Sequence, residues 1–169
     1  MLQIESDRLR LVPCSVAVAQ AAIADRAQLA AALGIRVPDD WPAEDLRDFL
    51  PAYGQIVGDA LARAGWGIWL MLQPAEQTLI GDIGFKGPPD ATGAVEIGYS
   101  VLPAFRRRGY ATEAARALVG WAAAQPGVRR VTAECLADNS ASIRVLEKAG
   151  LRQVGRDEHG LKWVVAVEK

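Results

Sequence analysis

The sequence predicts a mixed α/β fold, a sheet flanked by helices, in a single domain spanning residues 1–169. Three observations carry this expectation. A chain of 169 residues has the size of one compact domain and can bury most of the surface that its unfolded form exposes. Its composition, 51% hydrophobic and 23% charged, is that of a globular protein rather than a disordered or fibrous one. Segments with the two-residue period of strands alternate with segments of helical period, in the order β, α, α, β, β, β, α, β, α, β, β.

Residues 8–12 alternate polar and apolar side chains, which predicts a half-buried strand ended by Pro13. Residues 15–33 repeat apolar side chains near helical spacing and stop at Gly34. After a break from Pro38 to Pro42, residues 43–64 read as a second helix, bent or divided at Pro51. Residues 66–72, 78–85 and 94–101 are β-rich runs separated by short turns, so they form an antiparallel meander. Ala111, Ala114, Ala115, Leu118, Val119 and Ala122 then mark one face of an amphipathic helix. Residues 128–136 are a strand, 140–149 a helix stopped by Gly150, and 151–155 with 161–167 a closing strand pair around Glu158, His159 and Gly160.

Composition excludes several classes of function. Nineteen Lys and Arg against twenty Asp and Glu leave a formal charge of −1, which argues against a nucleic-acid binder that relies on bulk positive field. Cys14 and Cys135 are the only cysteines and have no partner at metal-ligand spacing, so no metal site is expected and both read as free, buried thiols. Charges within the first ten residues exclude a signal peptide, and no apolar run is long enough for a membrane span, so the chain reads as soluble and cytoplasmic. The excess of Arg over Lys, fifteen to four, hints at a GC-rich bacterial source.

The most informative segment runs from Val101 to Glu113 and joins a strand to the start of the strongest helix. Free backbone N–H groups and the helix dipole make such a junction a site for an anion. Arg106, Arg107 and Arg108 sit at the positive end of that dipole, where a bound phosphate would reverse an otherwise unfavourable placement. Gly109 and Ala111 are small where a phosphate must approach the main chain. On composition alone, the segment equally describes an exposed basic turn partly neutralised by Glu113.

The spacing fits neither the nucleotide P-loop nor the Gly-x-Gly-x-x-Gly fingerprint. With Arg106, Gly109 and Ala111 in its key positions, it resembles the acyl-CoA pyrophosphate loop of the GNAT superfamily of N-acetyltransferases, Arg/Gln-x-x-Gly-x-Gly/Ala. The stretch from Asp138 to Leu151 is similar to the Asn-x-x-Ser-x-Arg-x-x-Glu-Lys-x-Gly-Phe signature of the branch containing the ribosomal-protein-alanine N-acetyltransferases, and the opening Glu5 to Leu11 resembles that branch's first strand.

The resemblance implies acetyl-CoA as cosubstrate and direct transfer of the acetyl group from thioester to a primary amine. It also implies a mostly antiparallel sheet whose fourth and fifth strands, 94–101 and 128–136, splay to admit the pantetheine arm. Backbone groups of Tyr99, Ser100 and Val101 would bond that arm, with Asn139 near it, and Arg106, Arg107, Arg108, Gly109, Tyr110, Ala111 and Thr112 would hold the pyrophosphate.

Direct aminolysis needs a neutral amine, a polarised carbonyl and a proton for the leaving thiolate. Glu96 is the candidate base, its apolar neighbours expected to desolvate it, and a bulge at Gly98 would turn the N–H groups of Ile97 and Gly98 toward the carbonyl. Ser142 is the candidate proton donor, or alternatively a residue bonded to its own helix end. Arg144, Glu147 and Lys148 read as a salt-bridged, solvated helix face. The sole histidine, His159, sits in a turn, so no Ser-His-Asp triad is available.

Two departures stand out from the branch: Leu151 replaces the usual Phe, and only about six residues, 156–161, join the last strands where the branch carries a longer polar hairpin that helps form the acceptor site. The acceptor therefore stays open between a protein N-terminal amine and a small amine such as an amino acid, polyamine or antibiotic. The acidic residues Asp39, Asp40, Glu44 and Asp45 bear on the polyamine case. A non-catalytic acyl-CoA-binding module is the alternative of a different class.

Overall fold

The computed structural model describes residues 2–167. Its centre is an eight-stranded sheet in the order β1-β2-β3-β4-β5-β6-β8-β7. The strands are β1 (Ile4–Glu5), β2 (Arg10–Pro13), β3 (Ile68–Gln73), β4 (Thr78–Phe85), β5 (Ala94–Val101), β6 (Arg130–Cys135), β7 (Arg152–Asp157) and β8 (Gly160–Ala166). The helices are α1 (Val16–Ala24), α2 (Arg26–Leu33), α3 (Glu44–Ile56), α4 (Asp59–Arg63), α5 (Tyr110–Ala123) and α6 (Ser140–Lys148). Every neighbouring strand pair is antiparallel except β5 with β6.

The meander β3-β4-β5, the helix after it, and the elements β6, α6, β7 and β8 follow the expected order. Three expectations are corrected. The opening strand is a hairpin: β1 and β2 pair across a turn in which Ser6 N–H donates to Leu9 O, and β2 ends at Pro13, opposite Trp69. The helix expected over residues 15–33 divides at Asp25, which ends α1 and caps α2 by accepting from Gln28 N at 3.0 Å. Pro51 lies within α3, and the division of the second helical region comes at Val57 and Gly58.

The sheet is covered on both faces. On one face α5 packs through Ala114, Ala115, Leu118 and Ala122, all buried, and Trp121 meets Trp66, Trp69 and Phe85 at centroid separations of 5.0–5.7 Å. On the other face Tyr53 of α3 is fully buried, its hydroxyl donating to Cys14 O at 2.9 Å and accepting from Ile68 N at 3.1 Å. The connection between α2 and α3 is tied down at both ends. Arg36 bridges Gln77 and Leu79 beside β4, and the Arg26 guanidinium donates to the carbonyls of Pro38, Asp39 and Trp41. The outermost strand, β7, is exposed along almost its whole length.

Gly81 sets how closely β4 and β5 approach. A Cβ there would lie 2.2 Å from Ser100 O, a backbone atom that cannot swing aside. Gly81→Ala is expected to lower stability by about 1–3 kcal/mol, the usual cost of overpacking, seen as a lower urea midpoint with an unchanged denaturant slope.

Candidate active site

The site is built where β5 and β6 part. The pair runs in register only from Ala94 opposite Arg130 to Ile97 opposite Ala133, although β5 continues to Val101. Lys86 N–H donates to Glu96 O, and Leu102 N–H to Ile80 O, so the even-numbered residues of β5 turn their backbone groups toward β4. The odd-numbered residues face β6, and beyond Ile97 their groups have no strand to meet. The backbone of Tyr99 and the N–H of Val101 therefore open into the parting, while Val101 O accepts from Arg106 Nε at 2.8 Å. Ser100 bonds β4 through its backbone and is not among the open groups.

Register between β4 and β5 is continuous, so the bulge expected at Gly98 is absent and the Gly98 N–H points at β4. Of the pair expected to face a carbonyl, only Ile97 turns its N–H to the β6 side.

At the mouth of the parting, a short 3-10 turn, Pro103–Phe105, leads to the start of α5. Gly109 caps this helix with φ 83° and no side-chain cap bond, and among the described residues the N–H groups of Tyr110, Ala111 and Thr112 have no protein acceptor. A Cβ on Gly109 would meet only Arg8 Nη2, at 3.3 Å. Arg107 is exposed, also in the left-handed region at φ 60°, and makes no ion pair among the described residues. Arg108 lies 3.4 Å from Glu76 Oε1, and Tyr110 is buried beneath the Arg8 guanidinium. Glu113 does not neutralise the arginines of the loop; its partner is Arg8, 2.7 Å away.

From the far side α6 brings Ser142 to Tyr99. Their hydroxyls are 2.7 Å apart, and burial pushes the Tyr99 phenol up to about 12 despite the bond from Ser142. The cap of α6 is Asn139, whose side chain accepts from Ser142 N at 3.0 Å, so the Ser142 hydroxyl is not needed for that end. Arg144, Glu147 and Lys148 are exposed, with no ion pairs among them.

Side chains of even-numbered β5 residues project on the opposite face. Glu96 is ion-paired with Lys86 and 27% exposed, so it lacks the apolar enclosure expected of it. Next along the face is Gly98, where a Cβ would meet open space. Beyond lies a carboxylate that the sequence reading missed: Asp82 of β4, opposite Ser100, is buried and accepts from Trp41 Nε1 at 3.0 Å. Its other oxygen has no donor among the described residues. Burial pushes Asp82 up to about 7, against the lowering effect of the Trp41 bond. A charged residue inside the run Leu79-Ile80-Gly81-Asp82-Ile83, in a strand buried on both faces, was the available signal.

Residues 8–152 match the family model described as an acetyltransferase (GNAT) domain. The N-acetyltransferase YjdG of Bacillus subtilis is 33% identical over 150 residues, covering 89% of each chain. The chain belongs to the GNAT acetyltransferase family. It is an N-acetyltransferase, and acetyl-CoA is the cosubstrate of the family. Among solved structures, RimL, a ribosomal L7/L12 α-N-protein acetyltransferase in complex with coenzyme A, is 20% identical with a TM-score of 0.68, covering 98% of both chains. The ribosomal-protein-S5-alanine acetyltransferase of Vibrio fischeri is 14% identical with a TM-score of 0.70, covering 99% of this chain and 98% of that one. The residues of the N-acetyltransferase fit the coenzyme: unpaired N–H groups and cationic side chains stand at the mouth, and strand-like backbone groups line the parting. No helix among its described residues is long and apolar enough to cross a membrane, and none of them form a group of three or more metal-ligating side chains.

Because folding raises the Asp82 pKa, the folded enzyme holds a proton that the unfolded chain has lost between about pH 4 and pH 7. Its contribution to stability is full below that window, falls as pH rises through it and levels off above. Asp82→Asn is expected to remove this component of the slope, measured as urea midpoints of both proteins from acid to neutral pH.

Proposed function

We propose that this enzyme acetylates the α-amine of a peptide or protein N-terminus. The observation that carries the transferase chemistry is the parting of β5 from β6, with the free N–H groups of α5 at its mouth. The acceptor side rests on the face that bears Glu96. Thr132 is the register neighbour of Glu96, and from it a groove of about 420 Å³ extends across β6, β8 and β7, lined by Arg130, Thr132, Glu134, Val154, Lys162 and Val164. An open, mixed-polarity trough beside a carboxylate suits an extended chain entering amine first. The likeness in fold to enzymes named for ribosomal proteins, one of them as an α-N-protein acetyltransferase, supports the same acceptor class.

Acetyl-CoA supplies an acetyl group activated as a thioester. In this reading, the N–H groups of Tyr110, Ala111 and Thr112, with Arg107, hold the pyrophosphate, and Gly109 lets it approach. Tyr99 and Val101 bond the pantetheine arm through their open backbone groups, and Asn139 offers its carboxamide N–H, having used its oxygen as a cap. Glu96 takes a proton from the incoming ammonium. Tyr99 and Ser142, joined hydroxyl to hydroxyl, give a proton to the departing thiolate, and a phenol raised by burial is protonated at neutral pH. A second reading gives the base role to Asp82, on the same face with one free oxygen and a pKa near neutrality.

Thiol release from acetyl-CoA, measured against a panel of N-terminal peptides and small amines, tests the acceptor; turnover with small amines and none with peptides overturns the peptide reading. Glu96→Gln is expected to keep acetyl-CoA affinity and slow turnover roughly 10²- to 10⁴-fold, most where the amine is protonated, with Asp82→Asn close to wild type. The reverse ranking assigns the proton to Asp82. Ser142→Ala is expected to lower the single-turnover rate without lowering the melting temperature, since Asn139 keeps its cap. The loss should shrink for an acyl donor whose thiol is more acidic.

A further inference from the structure

Glu113 poses a problem for the loop. A carboxylate in the first turn favours the helix's own N-terminus but repels an anion seeking the same N–H groups. None of the neighbouring arginines cancels it: Arg106 donates to Val101 O, Arg108 approaches Glu76, and Arg107 has no ion-pair partner among the described residues. The compensation arrives from the other end of the chain. Arg8, in the turn between β1 and β2, gives its backbone N–H to Glu113 Oε1 at 2.7 Å and its Nε to Oε2 at 2.8 Å, with Nη2 2.7 Å from Oε2. Ser6 Oγ adds a bond to Oε1 at 2.7 Å. Burial pushes Glu113 up, and these donors outweigh it, holding the carboxyl below its ordinary range.

The same guanidinium reaches the loop backbone. Arg8 Nη1 donates to Arg108 O at 2.9 Å, and its carbon lies 4.5 Å above the Tyr110 ring. In a trans peptide the C=O and the following N–H point opposite ways. Drawing the Arg108 carbonyl toward the hairpin therefore turns the Gly109 N–H away from it, toward the open side of the turn. We propose that Arg8 is a positioning residue for the pyrophosphate of the coenzyme, fixing the Arg108–Gly109 peptide and cancelling the charge of Glu113 so that the start of α5 accepts an anion. This rests on the reading that the loop before α5 holds the pyrophosphate.

Two donors test it: acetyl-CoA, and S-acetyl-pantetheine, which lacks the pyrophosphate and adenosine. Arg8→Ala is expected to raise KM for acetyl-CoA about tenfold with kcat nearly unchanged, the scale of a lost charge-assisted bond, and to leave kcat/KM for S-acetyl-pantetheine at the wild-type value. Adding Glu113→Gln to Arg8→Ala should recover part of the acetyl-CoA KM. Equal losses on both donors would mean that Arg8 only staples the hairpin, and would overturn the proposal. If Arg8→Ala does not fold, Arg8→Lys, which keeps the charge and loses the fork, replaces it in the same comparison. Gly109→Asp separates the two claims. Wild-type KM in Arg8→Ala with acetyl-CoA binding lost in Gly109→Asp overturns the role of Arg8 alone; wild-type affinity in a folded Gly109→Asp overturns the loop reading and this proposal with it.

Discussion

The architecture turns on one short parallel contact. β5 and β6 pair over four positions and then diverge, in a sheet whose other neighbours are all antiparallel. Backbone groups in a sheet need partners, and β4 satisfies only one edge of β5. The other edge, from Tyr99 on, is left as half of a ladder. Because a parallel connection needs a crossover, the chain between the two strands passes over one face, here as a helix, and α5 starts after eight residues that include a 3-10 turn. The gap and the helix terminus are thus consequences of the same topology. β6 is held in its divergent course by β8, paired along its whole length, which aims α6 and Ser142 back at Tyr99.

The two faces of β5 carry opposite chemistry. Odd-numbered residues look toward α5 and α6, where arginines and helix termini gather; even-numbered ones look toward the side of α3 and the loop that carries Trp41, where the carboxylates Glu96 and Asp82 stand. A strand alternates its side chains by geometry, so one eight-residue segment presents different chemistry on its two sides. The sheet itself keeps the two charges apart.

This alternation also explains where sequence reading succeeded and failed. β4 and β5 have the boundaries their patterns imply, and α5 is marked by a clean apolar stripe. The environment of Glu96 differs from the expected one because Val95 and Ile97, adjacent in sequence, point to the other face and do not enclose it; its spatial neighbour is Lys86, just past the end of β4. Asp82 was hidden for the converse reason: its partner, Trp41, lies in a loop that no local pattern connects to β4. The break at Asp25 went unseen because Ala19 and Leu29 both face the core and the apolar repeat runs through the cap. The Arg8 contacts join residues over a hundred positions apart, beyond any windowed reading.

The exposed outer strand has a consequence for self-association. β7 ends the sheet with one edge unpaired, and such an edge invites another chain to add a strand. Its sequence resists this. Arg152, Arg156 and Asp157 put charge along the strand, and the register slips between Gln153 and Gly155, so a flat run of donors and acceptors is never presented. The sheet thus parts at its centre, between β5 and β6, while its β7 rim presents charge and a broken register in place of a flat edge.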